Sequence, residues 1–166
     1  QKYFGGAVRE ALEERDGLPV FDAARDWLAR YFAGEKPMPS ELPLCPIGGE
    51  FRQRVWRLLC QIPYGETTTY GALARALAAQ MGRPSMSSQA VGGAVGHNPI
   101  SIIIPCHRVI GANGKLTGYA GGLTIKQYLL ELEQGAVAPF MLFPDAELRN
   151  APDGIPLPAR ENGGKA

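Results

Sequence analysis

Apolar residues recur at helical spacing along much of the chain. Over 21–32, Phe21, Ala24, Trp27, Leu28, Tyr31 and Phe32 form one stripe between charged residues, and Gly34 is a natural stop. The stripe reads as core packing. Over 51–60, Val55, Leu58 and Leu59 point inward with Trp56 at the flank, and Ile62–Pro63–Tyr64–Gly65 ends the element. Thr68 or Thr69 is placed to cap a helix over 70–78, and Ser87 or Ser88 to cap a shorter one over 89–95. Helix, turn and short glycine-containing helix make a helix-turn-helix pattern. A last stripe, Ile125, Tyr128, Leu129 and Leu132, predicts an inward face on a helix over 125–133 capped by Thr124.

The remaining stretches break that period. Four prolines between Lys36 and Pro46 exclude a helix and predict a linker, so the next domain starts near Ile47. Ile102–Ile103–Ile104 reads as a short buried strand stopped by Pro105. Asn113–Gly114 is a hairpin-turn signal, and 118–122 is a glycine-rich loop. Beyond Gly135 the prolines predict an irregular tail, partly wrapped on the body through Phe140 to Phe143. The expected organisation is an N-terminal segment and linker over 1–46, a main domain over 47–134 and a tail over 135–166.

Composition narrows the class. With 45% hydrophobic and 20% charged residues the chain has the balance of an ordinary globule, and no apolar run is long enough to span a bilayer. A net charge of +1 is no global nucleic-acid signature. Arg52, Arg54, Arg57, Arg75, Arg83 and Arg108 nevertheless concentrate in the motif-bearing half, where a local patch can neutralise phosphates. Cys45, Cys60 and Cys106 are an odd set without metal-ligand spacing. They argue against a disulfide framework, fit a reducing compartment, and with only two histidines predict no metal site.

The chemistry concentrates at Cys106–His107. A thiol at the end of a buried stretch sits at the edge of the core, and histidine is the side chain best tuned to take its proton. Adjacent residues on a strand point to opposite faces, so the two need a turn to converge. Either a structural cysteine beside a surface histidine or a nucleophile with its base fits the pair alone.

The surrounding motifs decide between these. AVGGAVGHNP at 90–99, IIIPCHRVIG at 102–111, GYAGGL at 118–123 and IPYGETTTYGALA at 62–74 closely resemble, in order, the O6-alkylguanine-DNA alkyltransferase family. The resemblance covers about 51–134, with a weaker echo over 21–34. It implies an α/β (α+β) fold. A mainly helical, winged-helix-like C-terminal domain carries the helix-turn-helix, preceded by a reduced segment of a ribonuclease H-like domain. Too little chain precedes the first helix for that domain's full sheet.

The resemblance also implies roles. Cys106 accepts an alkyl group from guanine O6 in one irreversible step. His107 takes the thiol proton through a water and Glu133 orients His107. Asn98 ties the turn after the second motif helix to the thiol segment. Tyr70 hydrogen-bonds the base and crowds a phosphate. Tyr119 walls the pocket, Ala120 offers a backbone amide where some relatives carry serine, and Lys126 lies near the same network. Thr69, Gln89, Ala90, Gly92 and Arg108 complete the expected DNA-facing set. The implied partner is duplex DNA bearing O6-alkylguanine, entered from the minor groove with the base flipped out. No cofactor, no membrane, a monomer and a cytoplasmic site complete the expectations. One position departs from the family: the residue that fills the vacated stack is usually arginine, and here it is Gln89. That departure alone favours the rival reading, a damage-binding module without transfer. A turnover hydrolase built on Cys106 and His107 is the third possibility.

Overall fold

The computed structural model describes residues 17–138, so the expectations for the sheet before the first helix and for the wrapped tail at Phe140 to Phe143 lie outside the described residues. Five helices and one small sheet carry the described chain. The first helix, α1, runs Pro19–Phe32 with proline in its first turn, where a missing N–H costs nothing. Its inner end buries Trp27, Tyr31 and Phe32, whereas Phe21, expected on the buried stripe, is 49% exposed. The proline-rich stretch after it is no free linker. It makes a short 3-10 turn at Pro39–Glu41 and buries Leu42, and its Met38 carbonyl accepts from the Trp27 indole at 2.9 Å.

Helices α2 (Glu50–Leu59), α3 (Tyr70–Gln80) and α4 (Ser88–Gly96) pack against one another around Val55, Leu59, Leu77, Val91 and Ile104. Trp56, expected at the flank, is buried, and its indole donates to the Ala94 carbonyl at 3.0 Å. Sequence chemistry sets the starts of α3 and α4. Thr69 Oγ1 accepts from the Ala72 N–H at 3.1 Å, and Ser87 Oγ accepts from that of Ala90 at 3.3 Å. A second apolar cluster joins Trp27, Tyr31 and Phe32 to Ile103, Leu129 and Leu132, so α1 shares a core with the last helix, α5 (Leu123–Glu133).

The sheet is two short parallel strands, β1 (Thr68–Thr69) and β2 (Val109–Ile110), with Thr68 opposite Val109 and Thr69 opposite Ile110. It places the start of α3 beside the segment that follows the thiol. The whole is a mixed α/β fold, mainly helical.

Three expectations are corrected. Residues 102–104 are not a strand: Ile103 N–H bonds back to the Ser101 carbonyl at 2.9 Å and Ile104 N–H to that of Ile100 at 3.0 Å. An apolar run has no period to separate strand from buried turn. Here Ile102 takes a φ of 71°, which costs a β-branched residue backbone strain. Asn113–Gly114 does turn the chain, closing Gly111 N–H onto the Lys115 carbonyl at 2.8 Å, but it joins no pair of strands. Finally, α5 begins at Leu123, two residues before the expected start at Ile125, with Gly122 in place of Thr124 as its cap, because Lys126 N–H already bonds the Gly122 carbonyl. Its buried face is turned by one position, to Lys126, Leu129, Leu130, Leu132 and Glu133, leaving Ile125 45% exposed.

These burials predict opposite outcomes for two aliphatic truncations. Leu77→Ala, at a fully buried position of the main cluster, is expected to cost about 2–5 kcal/mol. Ile125→Ala is expected to stay within about 0.5 kcal/mol. Denaturant midpoints check both, and an equal loss at the two positions would contradict the rotated face of α5.

Candidate active site

A 3-10 turn at Cys106–Arg108 solves the convergence problem that adjacency poses. Cys106 N–H bonds the Ile104 carbonyl at 2.8 Å around Pro105, whose φ of −81° and ψ of 63° make a tight reversal. Cys106 and His107 thus leave the backbone from a turn and are both buried.

Glu133 comes to this turn from the last residue of α5. His107 Nε2 lies 2.7 Å from Glu133 Oε1. Arg108 donates to the same carboxylate through both Nε (2.8 Å to Oε2) and Nη2 (2.9 Å to Oε1), with Nη1 spent on the Ile62 carbonyl at 2.6 Å. Gly65 N–H adds a bond to Oε2 at 3.1 Å. Only glycine suits that position: its φ is +80° and a Cβ would stand 3.0 Å from the Glu133 carbonyl oxygen. Tyr31 closes the set, its hydroxyl donating to Oε1 at 2.6 Å. Burial alone would raise the Glu133 carboxyl, but the donors from His107 and Arg108 outweigh it and hold the group at about 2.

Glu133 is therefore an ionised acceptor at neutral pH, which fixes the imidazole proton on Nε2. The other ring nitrogen, Nδ1, is buried and has no hydrogen-bond partner among the described residues. Burial holds His107 below its ordinary 6.5, against the pull of Glu133, so the ring is neutral and Nδ1 is a free base at neutral pH. Burial likewise pushes the Cys106 thiol up, opposed by Asn98 and by the charge of Lys126. The pair is thus a thiol waiting for a base, not a standing thiolate.

Asn98 joins the end of α4 to the thiol turn. Its Nδ2 donates to the Ile104 carbonyl at 2.7 Å and to Cys106 Sγ at 3.1 Å, and its Oδ1 accepts from Ile100 N–H at 3.0 Å. Lys126 is fully buried, and its ammonium donates to the Val109 and Thr117 carbonyls at 2.6 and 2.7 Å.

Outside the thiol lies a cleft of about 620 Å³ between α4 and the loop at 117–120, lined by Tyr70, Gln89, Gly92, Tyr119 and Ala120. A hollow of about 20 Å³ at Cys106, walled by Asn98, Ser101, Tyr119 and Ala120, continues it inward. Gln89 and Ala90 are exposed on the first turn of α4, while the Thr69 hydroxyl is occupied as the α3 cap. Two expected DNA contacts are not on the surface. Arg108 is 4% exposed and bound to Glu133, which corrects its place in the DNA-facing set, and Lys126 is a buried brace. Tyr31 and Gly65 were not singled out by sequence. A tyrosine on a buried stripe must find a partner for its hydroxyl, and that was the available signal.

Both shifted groups lose protons on folding, so both make stability fall with acid. A depressed His107 contributes fully above 6.5 and loses that contribution as pH falls below it; Glu133 does so from 4.5 down to about 2. The denaturant midpoint is expected to decline below about pH 6.5 and to fall further below about 4.5. Glu133→Gln, which strands a buried Arg108, is expected to cost about 3–5 kcal/mol at neutral pH. Its deficit should narrow as pH drops through the Glu133 window. A deficit constant down to pH 3 would contradict the depressed carboxyl.

Residues 50–135 match the family described as 6-O-methylguanine DNA methyltransferase, DNA binding domain. The methylated-DNA–protein-cysteine methyltransferase of Haemophilus influenzae is 50% identical over 121 residues, covering 73% of this chain and 65% of that relative, so the chain spans just under two thirds of its length. The Methanosarcina acetivorans protein of the same name is 55% identical over 68% of this chain and 69% of its own length. The crystal structure of Mycobacterium tuberculosis O6-methylguanine methyltransferase superposes with a TM-score of 0.64 at 49% identity, covering 80% of this chain and 76% of that one. A structure of Mycobacterium tuberculosis OGT in complex with DNA gives 0.62 at 52% identity, over 71% and 70%. The cysteine, histidine and glutamate meet inside the matched span, and the chain belongs to the O6-methylguanine DNA methyltransferase family.

Proposed function

We propose that this chain repairs DNA by direct reversal, taking the alkyl group of an O6-alkylguanine onto its own Cys106 in a single irreversible step. One observation carries the reading. A buried thiol and a neutral imidazole stand on one turn, and the imidazole is oriented by an ionised Glu133 that leaves its Nδ1 free. His107 Nδ1 takes the Cys106 proton through a bridging water. The thiolate sulfur then attacks the alkyl carbon, forming C–S as C–O breaks, and the electron pair leaves on guanine. The imidazolium proton returns through the water to the departing base, which leaves neutral. The thioether has no hydrolytic exit, so each molecule reacts once.

The cleft fits the substrate side of this reaction. Its mouth, between Tyr70, Gln89, Tyr119 and Ala120, is where a flipped nucleotide enters, since the alkyl carbon is out of reach in a stacked duplex. In this reading α4 docks in the minor groove, whose degenerate pattern suits repair in any sequence context. Tyr70 donates to the leaving base, and the backbone amide of Ala120 faces guanine O6. The phosphates are met by Arg75 and Arg83. They line a hollow of about 330 Å³ with Gly71 and Ser88 beside the start of α4, and neither makes an ion pair among the described residues. The chain acts as a monomer, in the cytoplasm, with 47–134 as its winged-helix-like unit.

Intact mass after mixing with a duplex carrying one O6-methylguanine tests the proposal. The expected result is a stoichiometric gain of one CH2 unit that is absent in Cys106→Ser. Tight binding without mass gain would overturn transfer in favour of a damage-binding module. On the DNA side, Gln89→Arg is expected to tighten binding and speed transfer by filling the vacated stack. Arg75→Ala and Arg83→Ala are each expected to lower the slope of log affinity against log salt by about 0.9. Slopes unchanged from the parent protein would remove these arginines from the interface.

A further inference from the structure

Helix α1 reaches the catalytic centre through Tyr31. Tyr31 is completely buried, and its ring stacks on Trp27 at 5.5 Å and meets the edges of Phe32, Tyr64 and His107. That aromatic cage fixes where the hydroxyl points. It donates to Glu133 Oε1 at 2.6 Å and lies 3.3 Å from His107 Nε2. The same oxygen receives His107 Nε2–H at 2.7 Å and Arg108 Nη2–H at 2.9 Å. Three donors thus share an oxygen with two lone pairs. Each donor draws on negative charge that would otherwise act on the other two.

We propose that Tyr31 is a positioning residue for the transfer reaction: by sharing Glu133 Oε1 it sets the strength of the Glu133–His107 bond, and hence how readily His107 takes the Cys106 proton. The inference deepens the alkyl-transfer reading and rests on it for its link to rate. The titratable and charged groups around His107 are few. Its own turn supplies Cys106 and Arg108, α5 supplies Lys126 and Glu133, and α1 supplies Tyr31. Tyr119 meets its ring from the loop at 117–120, and Tyr64 packs on Tyr31 and Arg108 one step further out. Arg108 and Lys126 oppose an imidazolium and Glu133 favours one. The tyrosines stay neutral, since burial raises all three. Tyr31→Phe keeps the cage and deletes only the hydroxyl. With one competitor gone, Glu133 acts more strongly on His107, and the imidazolium is better stabilised.

The test reads the ring directly, in the full chain and without DNA. Two histidines are present, so His97→Asn assigns their proton signals in an NMR titration. The expected result is a His107 midpoint raised in Tyr31→Phe by about half a pH unit or more, roughly threefold in proton affinity. Tyr64→Phe is the control: it sits in the same cage, but its buried hydroxyl has no hydrogen-bond partner among the described residues. It is expected to leave the midpoint in place. The acid limb of the single-turnover transfer rate should move up with the midpoint in Tyr31→Phe. A His107 midpoint that does not move, including a ring that stays neutral in both proteins across their stable pH range, overturns the inference. So does an equal shift in Tyr64→Phe, which would make the effect one of packing. A shifted midpoint in a protein that transfers no alkyl group would instead sink the alkyl-transfer reading and leave in place only the hold of Tyr31 on the Glu133–His107 bond.

Discussion

One buried carboxylate organises this structure. Glu133 accepts five hydrogen bonds, from Tyr31 on α1, from Gly65 after α2, and from His107 and twice from Arg108 on the thiol turn. A charge taken out of water costs several kcal/mol, and only near-complete satisfaction by donors offsets it. The donors arrive from three separate parts of the chain, so the carboxylate is comfortable only when all have assembled. The fold is thereby tied to the site. The contacts that let Glu133 stay ionised also align the imidazole, and each segment that brings a donor is held in register by the acceptor it shares with the rest.

The consequences for the thiol follow from where the charges are. A standing thiolate would react with any electrophile that reached it. Burial instead keeps Cys106 protonated, and burial keeps His107 neutral. The two shifts match: an imidazole already charged could take no proton, and a thiol already ionised would need no base. Asn98 and Lys126 lean the other way, one donating to the sulfur and one placing a positive charge nearby, so the thiolate that forms is met by a donor and a cation. In the transfer we propose, the transition state, which carries the negative charge, gains more from these groups than the resting thiol does.

Sequence made some of this visible and hid the rest for definite reasons. Thr69 and Ser87 could be read as caps because capping is a local event between residues two or three apart. Val55, Leu58 and Leu59 could be read inward because α2 has an ordinary amphipathic face. The inner face of α5 was misread because its two buried polar residues, Lys126 and Glu133, sit where a hydrophobic count scores solvent. Both are inside only because distant carbonyls and donors satisfy them, and no local pattern carries that information. Ile102–Ile104 has the composition of a strand, but its backbone bonds close locally, and Ile102 accepts an unfavourable φ to bring Cys106 round. Arg108 looked like any surface arginine until the carboxylate opposite it was placed. Cys106, His107, Asn98 and Tyr70 came from ordered motifs and Glu133 from the wider resemblance, which report a site as a whole and not the bonds within it.

The departure at Gln89 is instructive because of how the molecule divides its labour. Gln89 sits on the exposed first turn of α4, at the mouth of the cleft, and makes no contact with the Glu133 network. The link from α4 to the thiol runs through Asn98, just past its C-terminal end, which grips Ile104, Ile100 and Cys106 and nothing on the DNA side. A change at residue 89 therefore leaves the imidazole and the sulfur where they are. Under the function we propose, binding energy spent on opening the duplex and the acid–base settings of the thiol are then separately adjustable. In that reading a chain with a weaker plug keeps its chemistry intact and loses only the fraction of encounters in which the base is held out long enough to react.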